Sequence, residues 1–165
     1  MTDRTTFTDD EWTLLRVTPS FVSVGVAAAD PSGLFASISE ALAGARAVTD
    51  ALNSKRDVAL FSALAADASV PSLPDVDVLL GGGSDEARMQ NFKSAALARV
   101  ANAIELLRRK AAPNELDAYR QLLLRVAEDA ANASKEGGFL GIGGERVSAK
   151  ERAFIDRLRS VAGVE

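Results

Sequence analysis

Apolar residues recur three or four positions apart along most of this chain, which is the spacing of one helix face and not of a strand. The clearest stretch follows Pro113, because proline is favoured at the first position of a helix, and it stops before Gly137 and Gly138. Its apolar members are Leu116, Tyr119, Leu122, Leu123, Val126, Ala127 and Ala130. The spacing predicts a helix over 113–136.

Two capping boxes mark the starts of further helices. Thr8 is followed three residues later by Glu11, and Ser148 is followed in the same way by Glu151. In such a pair the hydroxyl and the carboxylate satisfy backbone N–H groups that the first helical turn leaves free. The second pair predicts a final helix that ends at Gly163. Apolar spacing predicts the remaining helices over 34–52, over 57–68 with Asp57 as a candidate cap, and over 85–112.

These patterns predict an all-α fold, a single-domain bundle of about six helices that spans residues 1–165. Residues 20–29 are apolar on every side, and a helix is favoured there because no second strand is available to pair with them. Pro19, just before them, is expected to break or kink the preceding helix. Residues 70–84 hold two prolines and three consecutive glycines, which predicts a long hinge loop.

The chain contains no histidine and no cysteine. This composition excludes disulfides, Cys nucleophiles, His-based triads, and the usual zinc and iron–sulfur sites. Acid–base chemistry would fall to Asp, Glu, Lys or the single tyrosine, Tyr119, and the nucleophile elbow Gly-x-Ser-x-Gly is missing. We therefore expect a protein that is not an enzyme and needs no cofactor.

The net charge of −4 argues against nucleic acid as the main partner. The first 84 residues carry 5 basic and 11 acidic groups, whereas the rest carry 14 and 12. One half could attract the other half, or a second copy of the chain, or the asymmetry is ordinary surface variation. The N-terminal residues do not resemble a secretory signal, and the longest uncharged run, Val17–Ala29, is too short to span a bilayer. The expected location is the cytoplasm of a bacterium-like cell.

Residues 137–147 form a glycine-rich connection that carries Phe139, Leu140 and Ile142. A helix precedes it and no Gly-Lys-Ser/Thr follows, so it does not read as a phosphate-binding loop. The three apolar side chains either fold back as a plug over the ends of the bundle, or form an exposed tip that docks on a partner, a second subunit or a membrane surface. The predicted partner-binding residues are Phe139, Leu140, Ile142 and, on the final helix, Phe154.

Two stretches of the chain are similar to each other. Residues 27–33 read AAADPSG and are followed by Ile38-Ser39-Glu40, while residues 131–137 read ANASKEG and are followed, after an insertion, by VSAKE at 147–151. Each combines an Ala-rich helix end, an acidic residue, a glycine turn and a new helix start that carries Glu. The pattern resembles the twice-repeated unit of TerB-like (tellurite-resistance type) helical proteins, and the chain also resembles small bacterial all-helical proteins of unknown function.

The TerB-like resemblance implies an all-α fold and an acidic site for a partner or for Ca²⁺ or Mg²⁺ at Asp30, Glu40, Glu136 and Glu151. Pro31-Ser32 departs from the family by interrupting its acidic-Gly step. Read as local structure, Asp30 ends a helix, Glu151 completes a capping box, and the other two are solvated. The spacing matches no EF-hand loop, which needs its ligands within twelve residues.

The sequence thus predicts a non-catalytic helical module that binds another protein or itself, with a homodimer as one form. Two alternatives stay open. One is a TerB-like acidic metal-binding stress-response module, and the other is a peripheral membrane-associated helical protein.

Overall fold

Six α-helices and one short 3₁₀ turn account for most of the residues in the structure, a computed structural model that describes residues 2–29, 48, 52–53, 57–67, 69, 74–136 and 147–164. None of these residues lies in a strand, so the predicted all-α, single-domain bundle is confirmed. The 3₁₀ turn is Arg4–Thr6, and the helices are α1 (Asp9–Ala27), α2 (Ala59–Ala66), α3 (Val76–Leu80), α4 (Asp85–Lys110), α5 (Pro113–Glu136) and α6 (Ala149–Ala162).

Helix α1 is the centre of the bundle and packs against α4, α5 and α6. Every residue from 17 to 22 is buried, including Thr18, Pro19 and Ser20. A helix that has neighbours on most sides needs apolar residues around most of its circumference. This placement explains why residues 20–29 show no polar face, and it confirms the preference for a helix over residues 20–27.

Of the break or kink expected at Pro19, the break does not occur, because α1 continues through Pro19 to Ala27. Proline has no backbone N–H, so the carbonyl of Leu15 loses the donor that a helix supplies four residues later. The hydroxyl of Tyr119 on α5 replaces that donor and reaches Leu15 O at 2.8 Å. The helix survives its proline because another helix satisfies the freed carbonyl.

Helices α1 and α4 run antiparallel and are joined at several levels. Lys110 Nζ, at the end of α4, lies 2.6 Å from Glu11 Oε2 at the start of α1. Halfway along, the rings of Phe21 and Phe92 stack with their centres 5.3 Å apart. The guanidinium carbon of Arg99 lies 4.5 Å from the centre of the Phe21 ring, and burial lowers the pKa of this arginine. Aromatic and cation–π contacts of this kind add to the area that the helices bury.

The predicted hinge loop over 70–84 contains a short helix, α3, at 76–80. Asp75 caps α3, since its Oδ1 accepts hydrogen bonds from the backbone N–H groups of Asp77 and Val78 at 3.0 and 3.4 Å. The side chain of Leu80 is buried, and Asn91 Nδ2 on α4 donates to Leu80 O at 2.8 Å. The local cap and the packing on α4 together outweigh the turn signals of the flanking prolines and glycines.

The other predicted helix bounds agree closely with the structure. Helix α5 begins at Pro113 and ends at Glu136, and α6 ends at Gly163, whose φ of 69° suits glycine. The predicted cap of α2 is wrong, because Asp57 is exposed and Val58 occupies the cap position without a side-chain hydrogen bond. The helix predicted over 34–52 and the glycine-rich residues 137–146 lie outside the described part, apart from positions 48 and 52.

Helix α6 approaches α1 most closely where Gly25 meets Phe154. A Cβ atom built on Gly25 would lie 2.6 Å from the tip of the Phe154 ring and 3.2 Å from its two neighbouring carbons. Any residue larger than glycine would therefore collide with the ring. The glycine sets how near α6 lies to the central helix.

We expect Gly25→Ala to lower the free energy of unfolding by about 1–3 kcal/mol, as overpacking a full core does. The measurement is urea unfolding followed by circular dichroism. In the double variant Gly25→Ala/Phe154→Leu the shorter leucine replaces the ring. This variant should recover part of the lost unfolding free energy. Gly82→Ala is the matched control, since nothing lies within 4 Å of its added Cβ. If Gly25→Ala and Gly82→Ala changed the unfolding free energy equally, the close contact between Gly25 and Phe154 would be contradicted.

A second expectation concerns Tyr119. Replacing it by Phe leaves the buried carbonyl of Leu15 without a donor, which costs about 1–3 kcal/mol of unfolding free energy. In a Pro19→Ala background the restored backbone N–H can serve that carbonyl, so Tyr119→Phe should cost less there. A double-mutant cycle by chemical denaturation measures the difference. Equal costs in both backgrounds would show that the hydroxyl does not stand in for the missing N–H.

Candidate interaction surface

The four predicted partner-binding residues fall into two groups. Phe139, Leu140 and Ile142 lie outside the described residues, between the end of α5 and the start of α6. Phe154 is described, and only 4% of it is exposed because its ring packs against Gly25. Its burial assigns Phe154 to the core between α1 and α6, so it offers little surface to a partner. The apolar spacing of α6 could not distinguish a residue facing its own core from one facing another protein.

Of the four residues that the TerB-like resemblance suggests for binding a cation, the structure describes the side chain of only one, Glu151. Asp30 and Glu40 lie outside the described residues, and so does the side chain of Glu136. Glu151 is buried, and its Oε2 accepts a hydrogen bond from Ser148 N at 2.8 Å, while Ser148 Oγ accepts one from Glu151 N at 3.1 Å. This reciprocal pair is the predicted capping box. Among the described residues, no group of three Asp or Glu side chains is arranged to hold a metal ion.

Glu115 is a buried carboxylate that the sequence did not single out. It accepts hydrogen bonds from the backbone N–H of Leu60 at 3.2 Å, from that of Ala112 at 3.0 Å, and from the hydroxyl of Thr2. Leu60 lies in the first turn of α2 and Ala112 directly precedes α5, so one carboxylate serves the positive ends of two helices. The only local sequence signal for this role is that Glu115 lies three residues after the cap position, Ala112. A capping box would also need Ser or Thr at that cap position.

Tyr119 is fully buried, and burial raises the pKa of its hydroxyl. Its proton is directed at the carbonyl of Leu15 inside the core. A phenol in that position holds two helices together and is shielded from solvent. The polar groups of Glu115 and Tyr119 therefore belong to the framework of the fold.

Asp67 links the end of α2 to the first half of α1. Its Oδ2 accepts a hydrogen bond from the indole N–H of Trp12 at 2.7 Å and lies 3.3 Å from the guanidinium of Arg16. Its Oδ1 accepts hydrogen bonds from the hydroxyl and backbone N–H of Ser69. The hydrogen bonds from Ser69, followed by the hydrogen bond from Trp12, are the main causes that lower the pKa of Asp67 to about 2. No local sequence pattern predicts this contact, because Trp12 and Arg16 lie more than fifty positions from Asp67.

The lowered pKa of Asp67 predicts a pH dependence. A carboxyl whose pKa falls on folding stabilises the fold above its unfolded value of 3.8, and this contribution is lost as the pH falls toward 2. Asp67→Asn should therefore lower the unfolding free energy by about 1 kcal/mol at neutral pH, and its difference from the wild type should shrink between about pH 4 and pH 2. Urea unfolding followed by the fluorescence of Trp12, the single tryptophan, reports it.

Asp129→Asn is the control for this measurement, since Asp129 is exposed on α5. It should leave the unfolding free energy close to that of the wild type at every pH. A difference between Asp67→Asn and the wild type that stays constant down to pH 2 would contradict the titration of Asp67.

An open groove of about 420 Å³ lies between α5 and α6. Its apolar part comes from Ile155 and from Val147, which directly follows residues 137–146. Two acidic and two basic side chains complete the lining: Glu128, Asp156, Arg152 and Arg159. Arg159 Nη2 lies 3.1 Å from Glu128 Oε1, which closes one side of the groove with an ion pair across the two helices.

No helix within the described ranges is both long enough and apolar enough to cross a membrane. No protein-family model matches the chain, and no curated protein or solved structure matches it either. The resemblance to TerB-like proteins stays a prediction.

Proposed function

We propose that this chain is a non-catalytic helical module that binds a second copy of itself or another protein. The contacting surface is formed by Phe139, Leu140 and Ile142 together with the side of α6 that faces away from the core. The sequence also predicted Phe154 in this surface. Because Phe154 is buried, the proposed surface includes instead the residues of α6 that line the groove. The observation that carries the proposal is the groove, because it is lined by α6, by Glu128 of α5 and by Val147, which directly follows residues 137–146.

The non-catalytic part of the proposal is supported by how the buried polar groups are used. Glu115 serves two helix ends, Tyr119 serves a carbonyl that Pro19 leaves free, and Glu151 completes a capping box. Side chains suited to acid–base chemistry need free, reachable oxygens. In the described part of the chain these three are already committed to the backbone.

Association is supported by the alanine content of the chain. Thirty of the 165 residues are alanine, and each alanine buries little apolar area. Small side chains let helices pack closely but contribute less per residue to stability. Covering further apolar surface by association offsets that deficit, and three large apolar residues on a glycine-rich connection can supply the surface.

We place this proposed module in the cytoplasm, since a chain without cysteine suits a reducing compartment. No contact among the described residues favours the cation-binding or the membrane-associated alternative, so neither is developed as a second function.

The test replaces Phe139, Leu140 and Ile142 by Ser in one variant. We expect its molar mass in light scattering after size exclusion to fall to that of the 17.3 kDa chain, or its capture of a partner to be lost, with little change in melting temperature. Val78→Ser is the matched control, because Val78 is 75% exposed on α3 and should not affect assembly. Unchanged assembly with a lower melting temperature would show that the three residues pack on the bundle, and would overturn the proposal.

A further inference from the structure

We infer that residues 2–7 form a strap that fastens the short helix α2 to the bundle, and that the strap and α2 open together as one unit. The inference goes beyond the proposed interaction surface and does not depend on it. It rests on the hydrogen bonds that hold the two ends of α2 and on the contacts of the strap with the side chains that make those bonds.

The start of α2 is held by a side chain from another helix. Val58, at the cap position, makes no side-chain hydrogen bond, whereas Glu115 Oε1 on α5 accepts a hydrogen bond from the backbone N–H of Leu60 at 3.2 Å. A carboxylate at this position also interacts favourably with the positive end of the helix dipole. Glu115 therefore attaches the first turn of α2 to α5.

The end of α2 is held on α1. Asp67 follows the last residue of α2, and its Oδ2 accepts a hydrogen bond from the indole N–H of Trp12 at 2.7 Å. Arg16, one turn further along α1, donates to the backbone carbonyl of Asp67 at 3.0 Å. The two ends of α2 are thus attached to two different helices.

The beginning of the strap contacts the attachment at the start of α2. The buried hydroxyl of Thr2 donates to Glu115 Oε2, which also accepts a hydrogen bond from the backbone N–H of Ala112 at 3.0 Å. These two donors fix the orientation of the carboxylate, so that Oε1 is directed at Leu60. Without the hydroxyl of Thr2, the carboxylate loses one of the bonds that orient it.

The end of the strap contacts the attachment at the other end of α2. The ring of Phe7 packs against that of Trp12 with the ring centres 5.7 Å apart, and both residues are buried. The guanidinium carbon of Arg4 lies 5.5 Å from the centre of the Trp12 ring. The indole that binds Asp67 is therefore also packed against the strap.

Helix α2 is too short to be stable without these attachments. It has eight residues, and isolated helices shorter than about 12–15 residues are marginal in water. Because the strap supports the attachments at both ends, its release weakens both at once. Segments whose contacts fail together open as one cooperative unit while the rest of the fold persists.

Opening of this unit would change the surface of the protein. Leu60, Phe61 and Leu64 of α2 are buried in the closed form. The strap itself lies at the surface, since Asp3 and Thr5 are exposed. Residues 2–7 therefore act as a latch that keeps the apolar side of α2 covered.

Amide hydrogen exchange of the full chain, followed by NMR, tests the latch. Thr2→Val removes the hydroxyl that reaches Glu115 at nearly constant size, and Phe7→Leu removes the ring that packs on Trp12. Each variant should speed the exchange of the amides of residues 63–66 about tenfold, because the closed form of α2 loses support. The amides in the middle of α4 and α6 should exchange as in the wild type.

Residues 63–66 are chosen because they lie beyond the hydrogen bond between Leu60 and Glu115. Faster exchange there reports opening of the helix and not the loss of that bond alone. Thr2→Ser is the matched control, since it keeps the hydroxyl and should leave the exchange of these amides close to that of the wild type. Gly25→Ala is the control for a general loss of stability, because it acts where α1 meets α6, and it should not affect α2 selectively.

The outcomes decide between a latch and an ordinary stabilising segment. Unchanged exchange at residues 63–66 in both variants would overturn the latch. Equal acceleration in every helix would show that residues 2–7 contribute only to global stability, and would overturn it as well. Acceleration in only one of the two variants would contradict the support of both ends of α2 by the strap.

Discussion

The bundle depends on one hydrogen bond from α5 into the middle of α1. Pro19 removes the N–H that the carbonyl of Leu15 needs, and the hydroxyl of Tyr119 supplies the replacement. The bond lies in the core, where an unsatisfied carbonyl is costly and a well-placed donor is correspondingly valuable. It lets a proline-containing helix run unbroken from Asp9 to Ala27, so that one helix can serve as the centre around which α4, α5 and α6 pack.

Two further polar side chains, buried Glu115 and partly exposed Asp67, likewise join helix ends and distant segments. Glu115 holds the starts of α2 and α5, and Asp67 ties the end of α2 to Trp12 and Arg16 on α1. Hydrogen-bonded carboxylates away from the open surface are often examined as catalytic candidates. Here each has a structural partner, so in the described part of the chain the surface is the stronger source of a functional hypothesis.

That surface is most distinctive beside α6. On the core side of α6, Phe154 packs against Gly25 of α1 and leaves no space between the two helices. The opposite side carries Arg152 and Asp156 one turn apart, next to an apolar seat. The proposed module thus depends on this side of one amphipathic helix.

The sequence by itself determined what is encoded within a few residues. Caps and stops predicted α5 and α6 almost to the residue, since Pro113, Ser148 and Gly163 act on the backbone next to them. Only the tertiary structure decided the continuation through Pro19, the capping of α2 by Glu115 and the burial of Phe154. Each of these depends on a partner tens of positions away in the chain. Local periodicity shows that a residue faces something apolar, but only packing decides whether that is its own core or a neighbour.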